Sequence, residues 1–215
     1  MRVSERADGA LDAEPAVLVL GIGNLLWADE GFGVRAAEAL HARWRLPSRV
    51  SVVDGGTQGL ALLDLVCAAD DLLVFDSVDF GLPPGTLQML RDAAVPAWSD
   101  RAFSLHQASF QELLWLARWR DRFPRRLTLI GVQPQTIDDL GGSLTPLVRA
   151  RVDQAVDLAV RELAAWGIAA LPRAKPPARS LAADALALAR YEAGRPSEEA
   201  ACRSGDIRFL ARRNG

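Results

Sequence analysis

The sequence predicts a three-layer α/β fold, a twisted and mainly parallel sheet flanked by helices on both faces. A strand, loop, helix order recurs along the first half of the chain, which is the pattern of βαβ units. The strand segments are short runs that are apolar on both faces, as central strands covered by helices must be. Composition agrees: of 215 residues, 50% are hydrophobic and 24% charged, an ordinary globular balance with length enough for one sizeable core.

The first strand is AVLVLG, Ala16 to Gly21. Val34, Ala37 and Leu40 then recur on a helical period while Arg35, Glu38 and Arg43 fall elsewhere, so a helix begins just after Glu30 and runs to Trp44. A second strand at Val50 to Val53 closes on Asp54-Gly55-Gly56-Thr57, a helix follows from Gly59 to Cys67, and LLVFD makes a third strand ending at Asp76. Pro83-Pro84-Gly85 turns the chain into a strand at Thr86 to Leu90, an antiparallel edge because no helix intervenes. A loop carries the chain to His106, Phe110 to Trp119 reads as helix, and Leu127 to Val132 as another buried strand. Thr145-Pro146 is a helix start, with the hydroxyl as N-cap and proline at the first helical position. Val148, Val152, Val156, Ala159 and Leu163 form its apolar stripe, and the helix ends near Gly167. After Leu171 the texture changes to PRAKPPARS and an alanine-rich stretch. The organisation is thus a leader over residues 1–15, an α/β domain over 16–171, and a C-terminal extension over 172–215, partly helical or mobile.

A formal net charge of -2 gives no basic excess to concentrate phosphates, so nucleic acid is not an expected partner. The two cysteines, Cys67 and Cys202, are too far apart in sequence for a CxxC zinc or redox site and fit a reducing cytoplasm. Both are expected to be dispensable. The apolar stretch from Ala16 to Trp27 is too short for a membrane span, and the acidic leader lacks the positive charge of a secretory signal.

Acidic groups recur at the carboxyl ends of the predicted strands, where loops and helix N-termini of open α/β sheets converge on one crevice: Asp29 and Glu30, then Asp54, then Asp76. Each also has a structural reading. Glu30 can cap the following helix, Asp54 a turn, and Asp76 can hold a loop through backbone amides. The glycines of Gly21-Ile22-Gly23 invite a dinucleotide reading, but Leu26 stands where a third glycine is needed and Asp29-Glu30 would repel pyrophosphate. Of the two histidines, His41 reads as a solvent-facing residue of the first helix. His106 stands in a loop just ahead of a helix, and carboxylates plus one imidazole make a plausible site for a first-row divalent metal.

These segments are also motifs. GIGNLLWADEGFGV from Gly21 to Val34, DGGTQG from Asp54 to Gly59, VFDSVDFG around Asp76, SLHQ around His106, GVQP at Gly131 to Pro134 and LTP at Leu144 to Pro146 stand in this order. By them the chain resembles the nickel-iron hydrogenase maturation endopeptidases, which trim a C-terminal peptide from the hydrogenase large-subunit precursor after nickel insertion. The resemblance covers about Ala16 to Leu171. It implies that Glu30, Asp76 and His106 form the metal-binding set and act catalytically through nickel, which the substrate supplies, with no tightly bound permanent cofactor. Asp54, Gly55, Gly56 and Thr57 are candidates for positioning the precursor's C-terminal segment. The competing readings are a Rossmann-like dinucleotide enzyme and a non-catalytic chaperone that binds the nickel-loaded precursor.

Overall fold

The computed structural model describes residues 16–95 and 105–195, without the side chains of residues 105–109 and 184. The leader and Cys202 lie outside the described residues. Strand β1, Val17–Ile22, leads through a 3-10 turn, Ala28–Gly31, into helix α1, Phe32–Arg43. After a two-residue strand β2, Trp44–Arg45, come β3, Val50–Gly56, a 3-10 turn, Gly59–Leu62, and helix α2, Leu63–Ala68. Then follow β4, Asp71–Ser77, β5, Leu87–Arg91, α3, Leu105–Trp119, and β6, Arg126–Val132. Helices α4, Pro146–Arg149, and α5, Val152–Ala165, precede β7, Leu171–Pro172, and α6, Leu188–Ala193.

The five-stranded sheet has the order β3-β1-β4-β6-β5. Its pairs are parallel except β5 with β6, which is antiparallel. β7 pairs separately with β2. Residue parity divides the strands between two cores, because successive side chains of a strand point to opposite faces. Val17 and Val19, Leu73 and Phe75, and Ile130 and Val132 pack with Phe32, Ala36 and Leu40 of α1 and Val152, Val156, Ala159 and Leu163 of α5. Leu18, Leu20, Ile22, Leu72, Val74, Leu127 and Leu129 pack with Leu63 and Val66 of α2 and Phe110, Leu113, Leu114 and Ala117 of α3. These are the three predicted layers. No helix among the described residues is long and apolar enough to cross a membrane.

The β2–β7 pair and the 3-10 start of the helix expected from Gly59 were not anticipated, and two further helices differ from the sequence reading. Helix α3 begins at Leu105 rather than Phe110, so His106 stands in its first turn and not in a loop. The sequence positions four and three residues before Phe110 are the polar His106 and Gln107, and hydrophobic periodicity therefore detects the helix one turn late. The single helix expected from Thr145 is divided in two. Thr145 caps α4 as predicted, its side chain accepting from the Val148 amide, but the Arg151 amide donates to the Val148 carbonyl three residues back. That tighter turn separates α4 from α5.

At the amino end of the sheet, buried Asp71 is held by Arg126, whose Nε donates at 2.9 Å. On β5 and β6, Arg91 grips Glu162 with two bonds, 2.8 and 2.7 Å, and Thr128 adds a third at 2.8 Å. The Arg91 hydrogen bonds hold the Glu162 carboxyl below the ordinary glutamate range, against its burial. A depressed carboxyl contributes stability that is present above the ordinary value of 4.5 and lost as pH falls through the folded pKa. Glu162→Gln should therefore cost roughly 1.5–3 kcal/mol at pH 7, the scale of hydrogen bonds to a charged group. The deficit relative to the unsubstituted protein should shrink as pH is lowered below 4.5, measured by urea unfolding across that range.

Candidate active site

The chain leaves β1 to reach β3 on one side, then crosses back to β4 on the other. The carboxyl ends of β1 and β4 thus form a topological switch point, where the outgoing loops separate and leave a crevice. The turn that carries Glu30 is pressed into this place. A Cβ on Gly33 would meet the Ile22 and Phe75 carbonyl oxygens at 2.2 Å each, and a Cβ on Gly23 (φ +133°) would meet the Glu30 carbonyl oxygen at 1.8 Å. The glycines of the opening motif therefore let α1 and its preceding turn rest directly on two strand ends.

Glu30 is half-buried in this turn, and neither the turn nor α1 has a side-chain cap. Asp76, 3% exposed, follows Phe75 at the end of β4, and its Oδ1 accepts from the Ser77 amide at 2.8 Å. The structure thus brings the backbones of Glu30 and Asp76 to one crevice. Asp76 has the parity of Leu72 and Val74, on the face covered by α2 and α3. Position 106 stands four residues before Phe110 and seven before Leu113, on the helical stripe packed against that same face. Its side chain lies outside the described residues, among which no three acidic, histidine or cysteine side chains form a metal cluster.

Asp54 is placed differently. It shares the parity of Val50 and Val52, which pack on the α1 side, so it lies on the opposite face from Asp76. Burial pushes its carboxyl up, opposed by the Gly56 amide and Arg35 of α1. Gly55 and Gly56 form a bulge where the β1 and β3 register shifts, and exposed Thr57 follows. His41 is half-buried, its Nε2 3.1 Å from the Arg179 carbonyl.

Two residues that carry the site's architecture escaped the sequence reading of roles. Asp29 is fully buried. Its Oδ2 accepts from the Gln135 amide at 2.9 Å, the Thr136 amide at 3.0 Å and the Thr145 hydroxyl at 3.1 Å, and its Oδ1 from the Thr145 amide at 2.7 Å. Gln133, 7% exposed, accepts from the Phe80 and Leu82 amides at 2.7 and 3.2 Å and donates to Asp79 at 3.0 Å. The motifs GVQP and LTP are therefore the partners of ADEG and VDFG. The only sequence signal for either role was the ordered company of these motifs.

Asp29→Asn retains one acceptor oxygen and turns an amide donor toward a backbone N–H, leaving at least one buried amide without an acceptor. The expected cost is about 1–3 kcal/mol. The measurement is a denaturant midpoint at neutral pH, and a midpoint equal to that of the unsubstituted protein would contradict this role for the carboxylate.

The family model for hydrogenase maturation protease matches residues 34–162. The hydrogenase expression/formation protein HupM of Azotobacter chroococcum is 52% identical over 93% of this chain and 95% of its own length. The hydrogenase 2 maturation protease of Escherichia coli is 40% identical over 73% of this chain and 96% of its own. Among solved structures, the hydrogenase maturating endopeptidase HybD from E. coli superposes with a TM-score of 0.71 at 39% identity, covering 74% of this chain and 98% of that one. The motifs, the sheet order and these likenesses agree, and the chain belongs to the hydrogenase maturation protease family.

Proposed function

We propose that this protein is an endopeptidase that removes the C-terminal peptide of a nickel-iron hydrogenase large-subunit precursor after nickel has been inserted. The observation that supports the reading is the packing of the turn that holds Glu30, and of the start of α1, on the ends of β1 and of β4, the strand that holds Asp76. Two carboxylates and one imidazole suit a first-row divalent ion as a borrowed site. A resident catalytic zinc commonly takes three protein ligands rich in histidine or cysteine. Nickel here is the substrate's cargo: Glu30, Asp76 and His106 would complete coordination that the precursor has begun. Positions left open on the ion would then receive the scissile carbonyl or the attacking water, with a carboxylate as general base. The water oxygen bonds to the carbonyl carbon, the C–N bond breaks, and the water proton passes to the departing amine.

In this reading the bulged loop from Asp54 to Thr57, one strand away across β1, supports the precursor's C-terminal segment. The protein acts in the cytoplasm and keeps no tightly bound metal of its own. A chaperone of the same precursor would bind it and release it unchanged.

Purified protein incubated with nickel-loaded precursor should yield the shortened large subunit and the released peptide by mass spectrometry, and nickel-free precursor should stay intact. Equal cleavage of both, or of neither, would contradict the proposal. Glu30→Gln, Asp76→Asn and His106→Ala should each lower cleavage at least a hundredfold while circular dichroism stays native; full processing by any folded variant would remove that residue from the set. Because imidazole ligates only when neutral, cleavage should also fall on strong acidification, as protons compete with the metal for the ring nitrogen.

A further inference from the structure

The part of the C-terminal segment that the structure describes does more than cover α1. Arg35, 4% exposed, donates to the Leu186 carbonyl at 2.7 Å and to Glu38 at 2.9 Å, and the Tyr191 ring lies 5.9 Å from its guanidinium. A buried cation on the helix that leaves the candidate site thus gives the segment a fixed foothold. From there α6 reaches the loop before α4. Glu192 accepts from the Ser143 hydroxyl and from Arg149, each at 2.8 Å, and the Tyr191 hydroxyl donates to the Gly142 carbonyl at 3.3 Å.

The same loop is gripped from its other side by the opening motif. Trp27 bridges to Leu140 and Gly142, the Gly141 amide donates to the Leu26 carbonyl at 2.7 Å, and Thr145 gives its amide and hydroxyl to Asp29. Ser143 and Arg149 flank Thr145, and Asp29 precedes Glu30. We propose that Glu192 and Tyr191 are positioning residues for Glu30, acting by holding the loop that supplies the hydrogen-bond donors of Asp29. The C-terminal segment would then be a brace for the active site, carried on an element remote from the strand ends. The inference rests on the endopeptidase reading only for its catalytic consequence.

The mechanical part is tested without catalysis. The Gln135, Thr136 and Thr145 amides bond Asp29, and their hydrogen exchange reports the integrity of that connection. In the full-length protein, Glu192→Ala should speed their exchange at least tenfold and lower kcat/KM on nickel-loaded precursor about tenfold. Glu192→Gln, which keeps an acceptor for Ser143 and Arg149, should recover most of both. Asp64→Asn breaks an exposed pair with Arg120 of similar kind, 3.2 Å apart, and should change neither. Unaltered exchange in Glu192→Ala would overturn the brace, and faster exchange with undiminished cleavage would overturn its link to Glu30. Wild-type protein that fails to cleave the nickel-loaded precursor would overturn the endopeptidase reading instead, leaving the exchange rates to decide the brace.

Discussion

A single buried carboxylate ties together the carboxyl edge of this sheet. Asp29 has no exposure to water, so its lone pairs must be met by protein donors, and the ones that meet them come from the loop after β6 and from the cap of α4. None of these segments is held in place by strand pairing alone. Once the carboxylate is satisfied, the turn before α1, the loop after β6 and the start of α4 become one body. Gln133 does the same for the loop after β4, its side chain bonding the Phe80 and Leu82 amides. Glu30 is the next residue after Asp29, and Asp76 is the penultimate residue of β4, which runs into the loop that Gln133 secures, so both stand beside this preassembled edge.

The acidic residues divide by what surrounds them. Asp71 and Glu162 face arginines that bond them with two nitrogens each, Arg126 and Arg91, and their work is structural. Asp54 has its carboxyl raised by burial, on a face shared with Arg35 and Glu38 and opposite to Asp76. Its neighbour Glu38 is likewise pushed up by burial, with Asp54 adding to the effect. Carboxylates that look equivalent in sequence, each following a strand, are thus sorted by residue parity onto different faces of the sheet.

That sorting marks what was legible in the sequence. The layers and the strands were visible because Val17 to Leu20 and Leu72 to Phe75 are continuously apolar and Leu127 to Val132 is broken only by Thr128, and a strand buried on both faces needs such a run. The antiparallel edge at β5 followed from Pro83-Pro84-Gly85 with no helix intervening. The placement of Glu30 and Asp76 at strand ends was legible for the same reason. The role of Asp29 was not, because three of its four donors are amides of residues more than a hundred positions away, and backbone donors carry no side-chain signature. The first turn of α3 was missed because the positions that would extend its apolar stripe backwards, His106 and Gln107, are polar, and the hold of Glu192 on Ser143 and Arg149 because an alanine-rich segment shows no obvious partner.

Membership of the hydrogenase maturation protease family and a crevice at the strand ends beside Glu30 and Asp76 support the central proposal, that this protein completes the coordination of nickel that the precursor already holds. The most direct measurement is nickel X-ray absorption on a nickel-loaded precursor whose cleavage site has been made resistant, recorded alone and with the protein added. The account predicts added oxygen and nitrogen scatterers around nickel on mixing, lost when Glu30→Gln, Asp76→Asn or His106→Ala replaces the native protein. An unchanged nickel environment in a complex shown to have formed would contradict it.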